Sequence, residues 1–334
     1  MQELWSVGIE ILEKPYNMNK ILIILSAAYL VVTGGCSEEH AVKPEGAQKT
    51  PSFVLAWGSC GSADGQFEDP NGIACDENGF VYVANASISY SNPCIQKFDS
   101  DGNFITKWGS YGSNDGQFKH PTGVACDSDG NVYVADQGNH RIQKFDADGN
   151  FMKKWGSYGS DDGQFRFPVS IEVDSGDIVY IVDCINHRIQ KFDDQGNFIM
   201  KWGSFGTDDG QFQGPWGVAL DVSGNVYVAD SGNYRIQKFD SEGNLITKWG
   251  TRGSGDGQFL CPDGVEYCVS GYVYVTDLVN SRVQEFDSDG KFISEWGSYG
   301  TGDGQFNYPR GIACDSNGSV YVVDDNNCRV QKFK

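Results

Sequence analysis

"WGSYGSNDGQFKHPTGVACDSDGNVYVADQGNHRIQKFDADGNFMKKW" runs from Trp108 to Trp155. Its Asp-Gly-Gln-Phe core occurs six times, at 64–67, 115–118, 162–165, 209–212, 256–259 and 303–306. Trp57, Trp108, Trp155, Trp202, Trp249 and Trp296 mark the same period, spaced by 51 residues once and then by 47. Within one period, strand-forming residues (Val, Ile, Tyr, Phe, Trp) fill four short runs: Gly123–Cys126, Asn131–Ala135, Arg141–Phe145 and Phe151–Trp155. Asp-x-x-Gly turns separate the first run from the second and the third from the fourth. Each period therefore predicts a four-stranded antiparallel sheet that cannot bury both faces alone. Six such sheets packed radially can, which predicts an all-β, six-bladed β-propeller.

The register predicts how the ring closes. The sixth unit stops at "VQKFK", after its third strand, whereas "FVLAWGS" at Phe53–Ser59 matches the fourth-strand segment "FITKWGS" at Phe104–Ser110. The amino-terminal strand is expected to complete the last blade and so remove an edge that would template aggregation.

The repeat resembles the NHL family. "GNHRIQKFD" at Gly138–Asp146 and "NHRIQKFD" at Asn186–Asp193 carry its Asn-His-x-Ile core, with "VYVAD" upstream and "DGQFxxP" framing each unit. The resemblance spans Phe53–Lys334 and implies the propeller fold. It implies less about activity, because one fold hosts many functions. Proteins with such repeats include tripartite-motif regulators, extracellular sensor domains of bacterial kinases and peptidyl-amidating lyases.

The 334 residues include 43 Gly, with 13% aromatic residues and a formal net charge of −20. Such an acidic chain repels phosphate backbones, so no nucleic-acid partner is expected. Residues 1–35 read as a signal segment whose start lies at Met18: Lys20 precedes an apolar run, Ile21–Val32, too short to span a bilayer. Gly34-Gly35-Cys36 resembles a bacterial lipoprotein cleavage box, which implies lipidation at Cys36. Residues 36–52 then read as a polar tether and 53–334 as the propeller, giving a monomeric, lipid-anchored domain in the cell envelope. Cys75, Cys126 and Cys314 occupy one equivalent position and read as small buried apolar residues. Cys94 and Cys328 stand at neighbouring loop positions of adjacent blades, which suggests a disulfide between them.

The two faces of the ring differ. The turns of one face are monotonous ("DSDGN", "DADGN", "DVSGN"), whereas the other face varies around a repeated proline. There stand Asp69/Asn71, His120/Thr122, Phe167/Val169, Gly214/Trp216, Cys261/Asp263 and Tyr308/Arg310. Variation confined to one mouth reads as a non-symmetric recognition surface. The candidate contacts are Trp216, Arg310, Tyr308, Phe167, Asp263, His120, His140, His187 and Tyr234, with blade one specialised by an insertion at Ala86–Pro93.

Chemistry is sparser. Asp136, Asp183, Asp230, Asp277 and Asp324 recur five residues before Arg141, Arg188, Arg235, Arg282 and Arg329, and read as hydrogen-bonded ties between loops or as a rim for a charged ligand. Glu172 and Glu266 stand in inner strands where the other units carry Ala. A buried carboxylate needs a partner, which Arg166, Arg310, backbone groups or a divalent cation would supply. Outside the tether, the histidines His120, His140 and His187 fall in blades two and three only, which argues against a lyase-type metal at the axis. No cofactor is therefore required, a divalent cation being the alternative. The sequence points to a scaffold that binds a protein or small ligand by rigid presentation, without catalysis. A metal-dependent hydrolase or lyase is the competing reading.

Overall fold

The computed structural model describes residues 50–87 and 92–334. The signal segment, Cys36, most of the tether and the middle of the blade-one insertion lie outside the described residues.

Six four-stranded antiparallel sheets form the ring. The inner strands are Pro70–Cys75, Pro121–Cys126, Pro168–Val173, Val218–Leu220, Pro262–Tyr267 and Pro309–Cys314. Second strands such as Val132–Asp136 are wholly buried, as are third strands such as Arg141–Phe145. Outer strands such as Phe151–Trp155 alternate between half-buried and exposed residues. That gradient follows from the packing, because inner layers are sandwiched between blades while the outermost strand meets water.

The expected closure is present. Phe53–Trp57 pairs with Arg329–Phe333 through Phe53↔Phe333, Leu55↔Lys332, Ala56↔Gln331 and Trp57↔Val330. The ladder continues past both strands: Ser52 N–H donates to Lys334 O at 2.7 Å and Lys334 N–H to Ser52 O at 2.9 Å. Trp57 then packs on Phe98 of blade one, with ring centroids 5.8 Å apart. A second device binds the seam. Cys60 is disulfide-bonded to Cys328. The expected Cys94–Cys328 bond is not formed, and Cys94 is a buried free thiol. Cys314 departs from expectation too: it pairs with Cys268 and joins blade six to blade five. Cys75 and Cys126 remain free, and burial pushes both thiols well up.

The repeated connector is architectural. Its Phe is fully buried in every copy. Its Gln folds the loop: Gln117 Oε1 accepts the Asn114 N–H at 3.2 Å. The Asp–Arg pairs hold the same loop. Arg141 Nε donates to Asp136 Oδ2 at 2.7 Å, and its terminal nitrogens donate to Ser113 O, Asn114 O and Gln117 O, each at 2.8 Å. Asp136 Oδ1 accepts the Lys119 N–H at 2.8 Å. Both residues are buried, so this pair ties strands to connector rather than facing solvent. In blade one Asn85 repeats part of the role, accepting the Glu68 N–H at 2.9 Å and the Asp69 N–H at 3.3 Å. The Asp-x-x-Gly segments are turns in which Asp127 Oδ1 accepts the Asn131 N–H at 2.8 Å.

Candidate functional site at the mouth of the ring

Each blade sends one residue after its proline to the mouth: Asn71, Thr122, Val169, Trp216, Asp263 and Arg310. The first five of these, with the inner strands and with Gly311 and Ile312 of blade six, line a narrow axial cavity of about 50 Å³. That is room for a few water-sized groups, far below the 300–1,000 Å³ or so of a drug-sized pocket. Three of the side-chain-bearing residues before the prolines are held in unusual backbone. His120, Phe167 and Tyr308 have φ of 59°, 61° and 65°. Bulky side chains rarely adopt this left-handed region, and a following proline restricts them further.

The mouth has two unlike halves. On blades three and four, Val169 is buried and Trp216 half-buried, and both belong to an apolar cluster that includes Cys184, Ile189 and Val218. Trp216 N–H donates to Ala229 O at 2.9 Å, and here the inner strand starts late, at Val218. The other half is a buried polar arc over blades five, six, one and two. Arg310 Nε donates to Asp325 Oδ2 at 2.8 Å, and its Nη1 lies 3.6 Å from Asp263 Oδ2. Asp69 Oδ2 lies 3.4 Å from His120 Nε2. Asp69, Asn71, Asp263, Arg310 and Asp325 are 3–6% exposed.

Burial pushes Asp325 up to about 7, against the pull of Arg310. It pushes Asp263 up to about 6, again opposed by Arg310. Asp69 is desolvated too, yet His120 and Arg310 lower it. Arg310 is held in its charged form by Asp325, Asp263 and Asp69. Three polar atoms of the arc find no hydrogen-bond partner: Asp69 Oδ2, Asn71 Nδ2 and His120 Nδ1.

Deeper along the inner strands Glu172 and Glu266 face the same cavity. Neither meets an arginine. Glu172 Oε1 accepts its neighbour's Val173 N–H and Glu266 Oε1 accepts the Cys314 N–H, both at 3.3 Å. Arg166 instead lies over the Tyr158 ring, 5.7 Å from its centroid. Burial pushes Glu172 up to about 7, and burial with the Glu172 charge pushes Glu266 well up. Among the described residues no three His, Cys, Asp or Glu side chains converge as a metal ion would require.

The histidines and Tyr234 lie further out. His140 and His187 have left-handed φ at the ends of their loops, and burial lowers both pKa values. His140 Nδ1 accepts the Phe167 N–H at 3.3 Å, and His187 Nδ1 accepts the Gly214 N–H at 3.0 Å. Each also meets a connector aromatic at 5.0 Å, Tyr158 and Phe205 respectively. Tyr234 lies beneath Arg252, with the guanidinium carbon 5.4 Å from its ring centroid. These three residues join neighbouring blades. Tyr308 is half-buried, and its carbonyl accepts the Asp325 N–H at 3.3 Å. The structure thus gathers Trp216, Asp263, Arg310 and His120 at the mouth and sets His140, His187 and Tyr234 between blades. Sequence reasoning passed over Asp325, whose signal was a second Asp in "DDNNCR" where other loops carry Gln, Cys, Ser or Leu. It noted Asp69 and Asn71 beside the proline without selecting them.

Residues 118–145, 165–192, 212–239 and 306–333, in blades two, three, four and six, match the NHL repeat. A 54-residue stretch is 46% identical to Protein lin-41 of Caenorhabditis elegans, covering 16% of this chain and 4% of that protein. A solved protein of unknown function from Bacteroides thetaiotaomicron superposes with a TM-score of 0.65 at 21% identity, covering 85% of this chain and 75% of that one. A streptogramin B lyase superposes with a TM-score of 0.57 at 15% identity, covering 85% and 98%. At these identities the solved structures share the fold alone.

Proposed function

On a six-bladed propeller of NHL repeats, we propose, the asymmetric mouth binds a protein partner. The observation that carries this reading is the contrast between a ring of six unlike residues and a cavity of about 50 Å³ beneath it. A mouth this full takes a partner onto its surface and admits only a small group into its centre. Its scaffold is rigid, so little ordering entropy opposes binding. The domain is further proposed to be exported and held to a membrane by a lipid on Cys36, with residues 36–52 as its tether, and to work as a monomer in the cell envelope. NHL repeats, which recur in interaction proteins, support the first part. The signal-like segment and the polar composition of the tether support the second.

A photo-crosslinker placed at Tyr308 is expected to capture a defined envelope protein, and one at Asp129, on the opposite face, is not. Equal capture from both faces, or none from either, would reject the mouth as the recognition face. Cys36→Ser is expected to move the protein from membrane to soluble fractions.

The Glu172 and Glu266 carboxyls favour one alternative, a propeller hydrolase or lyase using a cation in the channel. A streptogramin B lyase with the same fold keeps that reading in view. Metal analysis of the purified protein, with stability measured before and after chelation, separates the two. Stoichiometric metal bound at the axis would favour the enzyme.

A further inference from the structure

The polar arc at the mouth is incomplete in a specific way. Asp69 Oδ2 is a buried acceptor without a hydrogen-bond partner, since His120 Nε2 stands 3.4 Å away, beyond the 2.7–2.9 Å or so of a charge-assisted bond. Asn71 Nδ2, on the same blade and 3% exposed, is a buried donor without a partner, and Asn71 lines the axial cavity. Leaving such groups unsatisfied is costly, and native structures seldom do so without a reason. Formal charge adds a second constraint. Arg310, the one arginine of the arc, has its Nε committed to Asp325 and its Nη1 3.6 Å from Asp263 Oδ2. The site therefore favours a cationic donor for Asp69 with an acceptor close beside it for Asn71. Across the same cavity stand Val169 and Trp216, an apolar wall.

We propose that this arc is a subsite for an α-ammonium group next to a carbonyl, the chemistry of a peptide's first residue or of a free amino-acid derivative. The ammonium donates to Asp69, the carbonyl accepts from Asn71, and an apolar first side chain meets Trp216 and Val169. The cavity admits this small head group while the rest of a polypeptide stays on the mouth. A free carboxylate in place of the continuing chain would face Asp263, so amides are preferred over free amino acids. The inference rests on the mouth being the recognition face.

Calorimetric titration of the full-length protein with L-leucinamide, the tripeptide amide Leu-Gly-Gly-NH₂, free L-leucine and N-acetyl-leucinamide tests it. Saturable 1:1 binding of leucinamide is expected, with loss on acetylation and at least tenfold weaker binding of free leucine. Tripeptide amide binding more tightly than leucinamide identifies a protein amino terminus as the source; the reverse identifies a small amine. Asp69→Asn and Asn71→Leu should each weaken binding about tenfold or more while the circular-dichroism melt stays cooperative. If Asp69→Asn fails to fold, Asn71→Leu alone decides. Absence of saturable binding, equal binding of the acetylated compound, or binding unchanged in folded variants would overturn the proposal. Should these fail while crosslinking from Tyr308 still captures a partner, the subsite falls and the recognition face stands.

Discussion

Cys60 and Cys328, separated by 268 residues, are bonded in the slot that Tyr158 and His140 fill between blades two and three. Five blade junctions close within a continuous chain, whereas the sixth must join the two ends of the domain. A covalent bond replaces an aromatic contact where chain continuity is lacking. Cys60→Ser with Cys328→Ser is expected to cost about 2–5 kcal/mol. Installing the blade-two pair instead, Cys60→Tyr with Cys328→His, should recover part of that loss, since Cys328 and His140 share nearly the same φ, 52° and 55°. Urea unfolding of the two double variants checks both statements. Equal stability of the two would reject the equivalence.

Removing Phe53–Trp57 leaves blade six with an open edge along Arg329–Phe333. The truncated protein is expected to unfold or to form strand-exchanged dimers. Size-exclusion chromatography with light scattering reports the outcome, and a stable monomer would contradict the closure argument.

Gly149 and Gly210 separate backbone strain from packing. Both have positive φ, 85° and 75°. A Cβ on Gly149 would lie 2.6 Å from the Trp108 ring of the preceding blade, whereas one on Gly210 meets nothing within 4 Å. Both Ala substitutions incur left-handed strain, and Gly149→Ala should cost about 1–3 kcal/mol more through overpacking. Matched thermal melts measure the difference.

Arg310→Ala would leave Asp263 and Asp325 buried without their counter-charge. The expected loss is about 3–5 kcal/mol. Asp325→Asn added to Arg310→Ala should restore part of it, because the amide needs no counter-charge. Denaturant titrations of the single and double variants decide. Arg310 is therefore a poor reporter of binding, and Trp216→Ala is the cleaner probe.

Glu172 and Glu266 make stability fall as pH rises. Their pKa values are raised in the folded state, Glu172 to about 7, so the native protein retains protons that the unfolded chain releases above about pH 4.5. For Glu172 this contribution is complete below that pH and is lost as the pH rises through about 7. Glu172→Gln should flatten the slope between pH 5 and 7 and stabilise the protein at pH 8 by on the order of 1 kcal/mol. Unfolding free energies across pH 5–8 would show an unaltered slope if burial does not raise Glu172.

Fold and closure were legible because a period of 47 residues carries its own internal controls. Copying Trp, Asp-Gly-Gln-Phe and Arg-Ile-Gln-Lys-Phe fixes the strands, and the unit lacking a fourth strand identifies its missing piece. The disulfide was harder. Cys94 and Cys328 are loop neighbours by sequence logic, yet Cys60, three residues past Trp57, takes the position that Tyr158 holds three residues past Trp155. At the mouth the candidate residues divide: Trp216, Asp263, Arg310 and His120 stand there, whereas His140, His187 and Tyr234 lie between blades. His140 and His187 look free in the sequence, but each imidazole Nδ1 accepts a backbone N–H from the next connector. Arg310 and Asp263 look like open contacts, yet they are buried beside Asp325 from a different loop. Pairing between loops depends on radial packing, which no local pattern encodes.

The ladder from Ser52 to Lys334 also decides how the domain meets mechanical load. A pull directed along strand Phe53–Trp57 loads its bonds to Arg329–Phe333 side by side, so that they do not open one after another. Should that strand slip, the next covalent stop is Cys60, fastened to the same blade through Cys328. The seam is thus a shear joint backed by a bolt, and reducing one disulfide would turn a fixed fastening into a releasable one.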